Sequence, residues 1–106
     1  MKKDKSGTHH EAKHVRDSEL DFKIMARRNR LLGLWAAEKQ GLGDEAAQAY
    51  AKEVVMADFD EPGEEDVVRK VMGDFQKNGV ATSEAELRME MARLLEVARE
   101  HFEKQA

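Results

Sequence analysis

The stretch Leu20-Asp21-Phe22-Lys23-Ile24-Met25-Ala26-Arg27-Arg28-Asn29-Arg30-Leu31-Leu32-Gly33-Leu34-Trp35-Ala36 decides the fold. Wound at helical periodicity, Leu20, Ile24, Leu31, Leu34 and Trp35 share one face, and Phe22, Met25, Leu32 and Ala36 widen it beyond half the circumference. A helix that is apolar over so wide an arc is covered by more than one neighbour, so the segment predicts the central helix of a bundle. The pattern begins near Asp17 or Ser18 and ends at Gln40, where Gly41-Leu42-Gly43 supplies a glycine stop.

Three further helices follow from the same reasoning. Asp44 is a good N-cap for a helix to about Phe59, with Ala46, Ala47, Tyr50, Val54 and Ala57 on its inner face, and Asp60-Glu61-Pro62-Gly63 breaks it. Glu64, Glu65 and Asp66 place negative charge in the first turn of a third helix that ends at Asn78-Gly79; Val67, Val68, Val71, Met72 and Phe75 recur at helical spacing. Ser83 and Glu86 form a Ser-x-x-Glu capping box ahead of the stripe Leu87, Met91, Leu94, Leu95, Ala98 and Phe102. Met72, Met89 and Met91 are read as packing residues. Short turns between amphipathic helices imply antiparallel neighbours, so the expected fold is all-α: a four-helix bundle with a long first helix and a flexible N-terminal arm.

The arm is residues 1–16 and the bundle residues 17–106. The arm holds five bases (Lys2, Lys3, Lys5, Lys13, Arg16) against two acids (Asp4, Glu11), a net +3, in a chain whose total is −4. Ser6-Gly7-Thr8 lowers its helix propensity, and helix is expected there only from about His10. The acidic body argues against nucleic-acid binding, which needs clustered positive charge. With 41% apolar and 38% charged residues in 106, one foldable domain is expected. No cysteine is present, so disulfides and thiolate chemistry are excluded. The longest run free of polar side chains, Leu31 to Ala37, is far short of the roughly 20 residues a membrane span needs. A cytoplasmic protein, monomeric when free, is expected.

His10-Glu11-Ala12-Lys13-His14 fits the H-E-x-x-H zinc pattern, but it lies in a polar arm without a third ligand, and no metal site is expected. No phosphate loop, EF-hand or nucleophile–base pair is present, so no enzyme is predicted. Arg27 and Arg28 fall within or beside the apolar arc, where a guanidinium needs either a carboxylate such as Asp58 or Asp60, or a bound anion such as phosphate. Trp35 and Tyr50, the sole tryptophan and tyrosine, are either core fillers between the first two helices or stacking platforms for an adenine.

Two stretches carry a family resemblance. Ala26-Arg27-Arg28-Asn29-Arg30-Leu31-Leu32-Gly33-Leu34-Trp35-Ala36-Ala37-Glu38-Lys39 is one; Tyr50-Ala51-Lys52-Glu53-Val54-Val55, followed by Ala57-Asp58-Phe59 and Glu65-Asp66-Val67, is the other. Both resemble the zeta-subunit family of alphaproteobacterial F-type ATP synthases, from about Glu11 to the C-terminus. The resemblance implies a four-helix bundle that regulates the catalytic sector of the synthase. It implies an N-terminal arm that enters a catalytic interface and blocks hydrolytic rotation, and a bundle associated with ADP or ATP; no cofactor is required. On that reading the nucleotide residues are Arg27, Arg28, Arg30, Trp35, Lys39 and Tyr50, and the partner-binding arm residues are His10, Glu11, Lys13 and His14. The protein would then be peripheral to the inner membrane when bound to the synthase.

The arm departs from the family pattern. Glu11-Ala12-Lys13 is kept, but His10 and His14 stand where the family has phenylalanines. Each lost aromatic removes on the order of 1.5–3 kcal/mol of burial, and Gly7 costs up to about 1 kcal/mol if its segment is helical. A weak or non-inhibitory member is therefore expected, with the alternative of an ADP/ATP-binding sensor.

Overall fold

The computed structural model describes the backbone of residues 2–60 and 64–105 and the side chains of residues 18–58 and 64–104. Its elements are α1 (Lys2–Lys39), α2 (Asp44–Asp60), α3 (Glu65–Lys77) and α4 (Glu84–Gln105), with no strand among the described residues. The fold is the expected all-α four-helix arrangement. α1 packs against both α2 and α4, α2 against α3, and α3 closes the ring on α4 through the thinnest of the four contacts.

The first helix starts at Lys2, not near Asp17 or Ser18. Helix growth is cooperative: once the downstream segment is fixed, each added residue costs only its own propensity, about 0.5–1 kcal/mol at Ser6, Gly7 and Thr8. Arm and bundle thus share one rod of 38 residues, about 57 Å long at the standard rise.

The two glycine stops are complete Schellman motifs. In the first, Leu42 N–H donates to Ala37 O at 3.0 Å and Gly41 N–H to Glu38 O at 3.0 Å. In the second, Val80 N–H donates to Phe75 O at 2.8 Å and Gly79 N–H to Gln76 O at 3.4 Å. Each turn needs one left-handed residue, and Gly41 (φ 76°) and Gly79 (φ 70°) supply it. Leu42 and Val80 then fold back onto the core, and Asn78 Nδ2 donates to Gln40 Oε1 at 2.7 Å, tying the two turns together. At the start of α4, Ser83 Oγ accepts from Glu86 N–H at 3.2 Å, closing the predicted capping box.

The core is Leu32, Ala36 and Ala37 of α1 with Tyr50 and Val54, Val67, Val71 and Phe75, and Leu87, Met91 and Leu94. The α1–α2 contact is close because it is built from small residues: a Cβ placed on Gly33 would lie 2.6 Å from the Ala51 Cα.

Four apolar residues read as inward face solvent. Leu20 and Phe22 are 43% and 55% exposed, although Phe22 still borders a groove with Phe102 of α4. Ala46 is exposed, since α2 turns inward on the Ala47, Tyr50, Ala51 and Val54 spacing instead. Met89 is exposed because it lies two residues, more than half a turn, from both Leu87 and Met91.

Candidate functional site

On α1, the run Arg27–Arg30 turns its side chains to two different surroundings. Arg28 is 1% exposed and Asn29 fully buried. Arg28 Nε donates to Asn29 Oδ1 at 2.8 Å, which leaves Arg28 Nη2 and Asn29 Nδ2 buried without an acceptor among the described residues, together with Arg27 Nε. Three unsatisfied buried donors on consecutive residues are unusual, since an unmade hydrogen bond costs about 1–3 kcal/mol. No carboxylate closes an ion pair with Arg28 among the described residues. Burial pulls its pKa down, while Glu64 and Asp58 act at longer range to hold its proton on. The predicted direct pair with Asp58 is therefore a long-range attraction, and the Asp60 side chain lies outside the described residues. Asn29 and Asp58 line a cavity of about 100 Å³ with Phe22, Met25, Ala26 and Val55, roomy enough for water or a small anionic group.

Arg27 and Arg30 face the other way. With Lys23 of α1 and Lys52 of α2 they border a groove of about 560 Å³ whose walls are Phe22, Ala26, Val55, Met56 and, from α4, Phe102. Among the described residues no acidic side chain lines it. None of the four cations is in an ion pair among the described residues, whereas Arg69, Lys70, Arg88, Arg93 and Arg99 each hold a carboxylate. Arg30 Nη2 donates instead to Gln48 Oε1 at 2.7 Å.

The other three candidate nucleotide residues lie elsewhere. Trp35 tilts against Phe75 with ring centroids 5.9 Å apart, and Lys39 Nζ sits 5.2 Å from its ring centroid. Tyr50 is buried, and its hydroxyl donates to Asp74 Oδ2 at 2.8 Å. Lys70 Nζ lies 5.1 Å from the Tyr50 ring and donates to Glu53 at 2.9 Å and Asp74 at 3.1 Å. Burial, followed by the Asp74 hydrogen bond, raises the Tyr50 phenol well above its usual range. Burial pulls Lys70 down, but Glu53 and Asp74 outweigh it and hold its ammonium above the ordinary value. Both aromatics are thus occupied in packing and internal pairing. Of the six, the structure brings together Arg27 and Arg30, with Arg28 behind them and Trp35, Lys39 and Tyr50 on other faces. The arm residues His10, Glu11, Lys13 and His14 lie on the α1 backbone, with side chains outside the described set.

Sequence reasoning missed Asn29, although its spacing from Met25, Leu32 and Ala36 places it on the buried arc. It also missed Lys52, Met56 and Phe102, which reach one groove only through the relative rotation of three helices.

These features describe an all-α protein: a long helix buttressed by three others, with unsatisfied donors, a basic-rimmed apolar groove and, among the described residues, no cluster of metal-ligand side chains. No described helix is long and apolar enough to cross a membrane. The sequence profile of the ATPase inhibitor subunit zeta family matches residues 2–101, and the chain belongs to that family, which is regulatory rather than catalytic and acts on ATP synthase. A solution NMR structure of a 46% identical protein superposes with a TM-score of 0.72, over 82% of this chain and 99% of that one. No curated protein matches.

Proposed function

We propose that this protein is an inhibitor-type regulator of the F-type ATP synthase that restrains ATP hydrolysis weakly, through its N-terminal arm. The observation that carries the reading is the extent of the family match, residues 2–101, which takes in arm and bundle together. The arm shares one helix with Arg27, Arg28 and the core residues Leu32 and Ala36. Such a helix transmits to the bundle any load taken up by its first turns. The arm recognises the catalytic sector through Glu11 and Lys13, with His10 and His14 in the positions that phenylalanines fill in the family. Imidazoles bury less apolar area than phenyl rings, which reduces affinity for an apolar pocket. An ATPase assay on the cognate catalytic sector tests this, comparing the full chain with a form lacking residues 1–16. The full chain should restrain hydrolysis modestly and the truncated chain not at all; equal restraint by both would refute the arm's role.

A second reading, an ADP- or ATP-binding sensor, is favoured by the orphaned donors of Arg27, Arg28 and Asn29. Phosphate oxygens are good acceptors for guanidinium and amide donors. On this reading Arg28 and Asn29, with the buried Nε of Arg27, meet the phosphates, and Arg30, Trp35, Lys39 and Tyr50 lie outside the site. Titrating ADP and ATP while following amide shifts should move residues around Arg28, and Arg28→Ala should weaken the response more than Arg99→Ala. A response spread evenly over all four helices, or none at millimolar nucleotide, would remove the site.

A further inference from the structure

We propose that the groove between α1, α2 and the end of α4 is a docking site for an acidic amphipathic helix of a partner protein. Its floor is apolar: Ala26, Val55, Met56 and Phe102 offer no hydrogen-bonding side chain. Met56 stands 60% exposed there, and a flexible thioether adapts to the apolar side chains of an incoming helix. A nucleobase would need polar groups matched to its edge, and this floor supplies none.

The charge specifies the partner. Lys23, Arg27 and Arg30 follow one another at helical spacings of four and three along one wall, and Lys52 stands on the facing helix. Cations on both walls of an apolar trough complement a helix with leucine-like residues on one stripe and carboxylates on both flanks. The chain as a whole carries −4, and its α3 and α4 arginines are already held by carboxylates. These four cations, unneutralised among the described residues, are therefore a local reversal of the body's charge. The length fits too: Lys23 to Arg30 spans about 10 Å of α1, two turns of a bound helix. The site lies on the bundle and is independent of the arm, so it holds whether or not the arm inhibits.

The test uses the isotope-labelled full chain and three synthetic peptides of about 18 residues, long enough to be helical alone. One carries leucines on one face and glutamates on both flanks, the second has lysines replacing the glutamates, and the third scrambles the first. The glutamate peptide should shift amides of residues 22–30, 52–56 and around 102, and the other two should not. Lys23→Glu with Lys52→Glu should weaken that binding at least about tenfold, while Lys77→Glu should leave it unchanged. Raising the ionic strength from about 0.01 M to about 0.15 M should weaken it as well. The proposal is overturned if the glutamate peptide gives no shifts at millimolar concentration, shifts residues elsewhere, or is matched by the lysine peptide. It is equally overturned if ADP or ATP shifts the groove while the peptide does not, which would make the groove a small-anion site.

Discussion

Gly33 is where the α1–α2 contact is tightest. A methyl group there would press on the Ala51 backbone at 2.6 Å and on Val54 Cγ2 at 3.3 Å. A main-chain neighbour cannot rotate away, so the two helices must separate. Gly33→Ala should therefore lower stability by about 1–3 kcal/mol despite its better helix propensity. Chemical denaturation reads this directly; unchanged stability would mean that the helices sit further apart. Tyr50 gives a second residue-scale expectation. Its phenol is held protonated in the folded state, so the unfolded chain, with an ordinary pKa near 10, binds fewer protons above about pH 10. Stability is then fully present below that pH and falls as pH rises above it. Tyr50→Phe should flatten this alkaline loss, at a cost of about 0.5–1.5 kcal/mol at neutral pH for the missing Asp74 hydrogen bond. Because Tyr50 is the only tyrosine, alkaline absorbance titration follows it without interference. Arg28 is the third. Replacing a buried charge by an apolar side chain of similar volume is often neutral or stabilising. Arg28→Met should thus hold or raise the melting temperature while abolishing any ADP or ATP shifts around α1; a large loss of stability would show that the Arg28–Asn29 bond is structural.

At the scale of the helix, boundaries follow local chemistry. The Ser83–Glu86 box satisfies donors that the first turn of α4 leaves free, so Ser83→Ala should cost about 0.5–2 kcal/mol in thermal or chemical unfolding. The stops at Gly41 and Gly79 and the start of α4 were legible in the sequence for this reason: a cap is a few adjacent residues, and its side chains name it; α2 instead starts one residue early, with Gly43 O accepting from Ala47 N–H at 2.7 Å and Asp44 in the first turn rather than at the N-cap. The start of α1 was not legible. Ser6, Gly7 and Thr8 read as a weak arm, whereas their helical state depends on a long, firmly packed helix downstream. The candidate site divides in the same way. The burial of Arg28 could be read from the wheel, because periodicity on one helix sets it. The company of Arg27 and Arg30, with Lys52, Met56 and Phe102, depends on how three helices are rotated against one another, which no local pattern records. Trp35 and Tyr50 read from the sequence as core fillers or, alternatively, as stacking platforms, and Phe75, Asp74 and Lys70 occupy them.

The whole molecule joins arm and bundle on one rod. Its C-terminal half is the axis of the bundle, and its N-terminal turns carry Glu11-Ala12-Lys13 between His10 and His14. In the proposed function, restraint of ATP hydrolysis comes from those turns and is weakened by the two histidines. It is tested most directly by ATP hydrolysis rates of the cognate catalytic sector titrated with three forms of the protein. These are the full chain, the His10→Phe/His14→Phe variant, and the chain lacking residues 1–16. Restoring two aromatics, each worth on the order of 1.5–3 kcal/mol when buried, should tighten inhibition by at least about a hundredfold, and the truncated chain should not inhibit. Inhibition by the natural chain as tight as that by the phenylalanine variant, or inhibition that survives loss of the arm, would contradict the account.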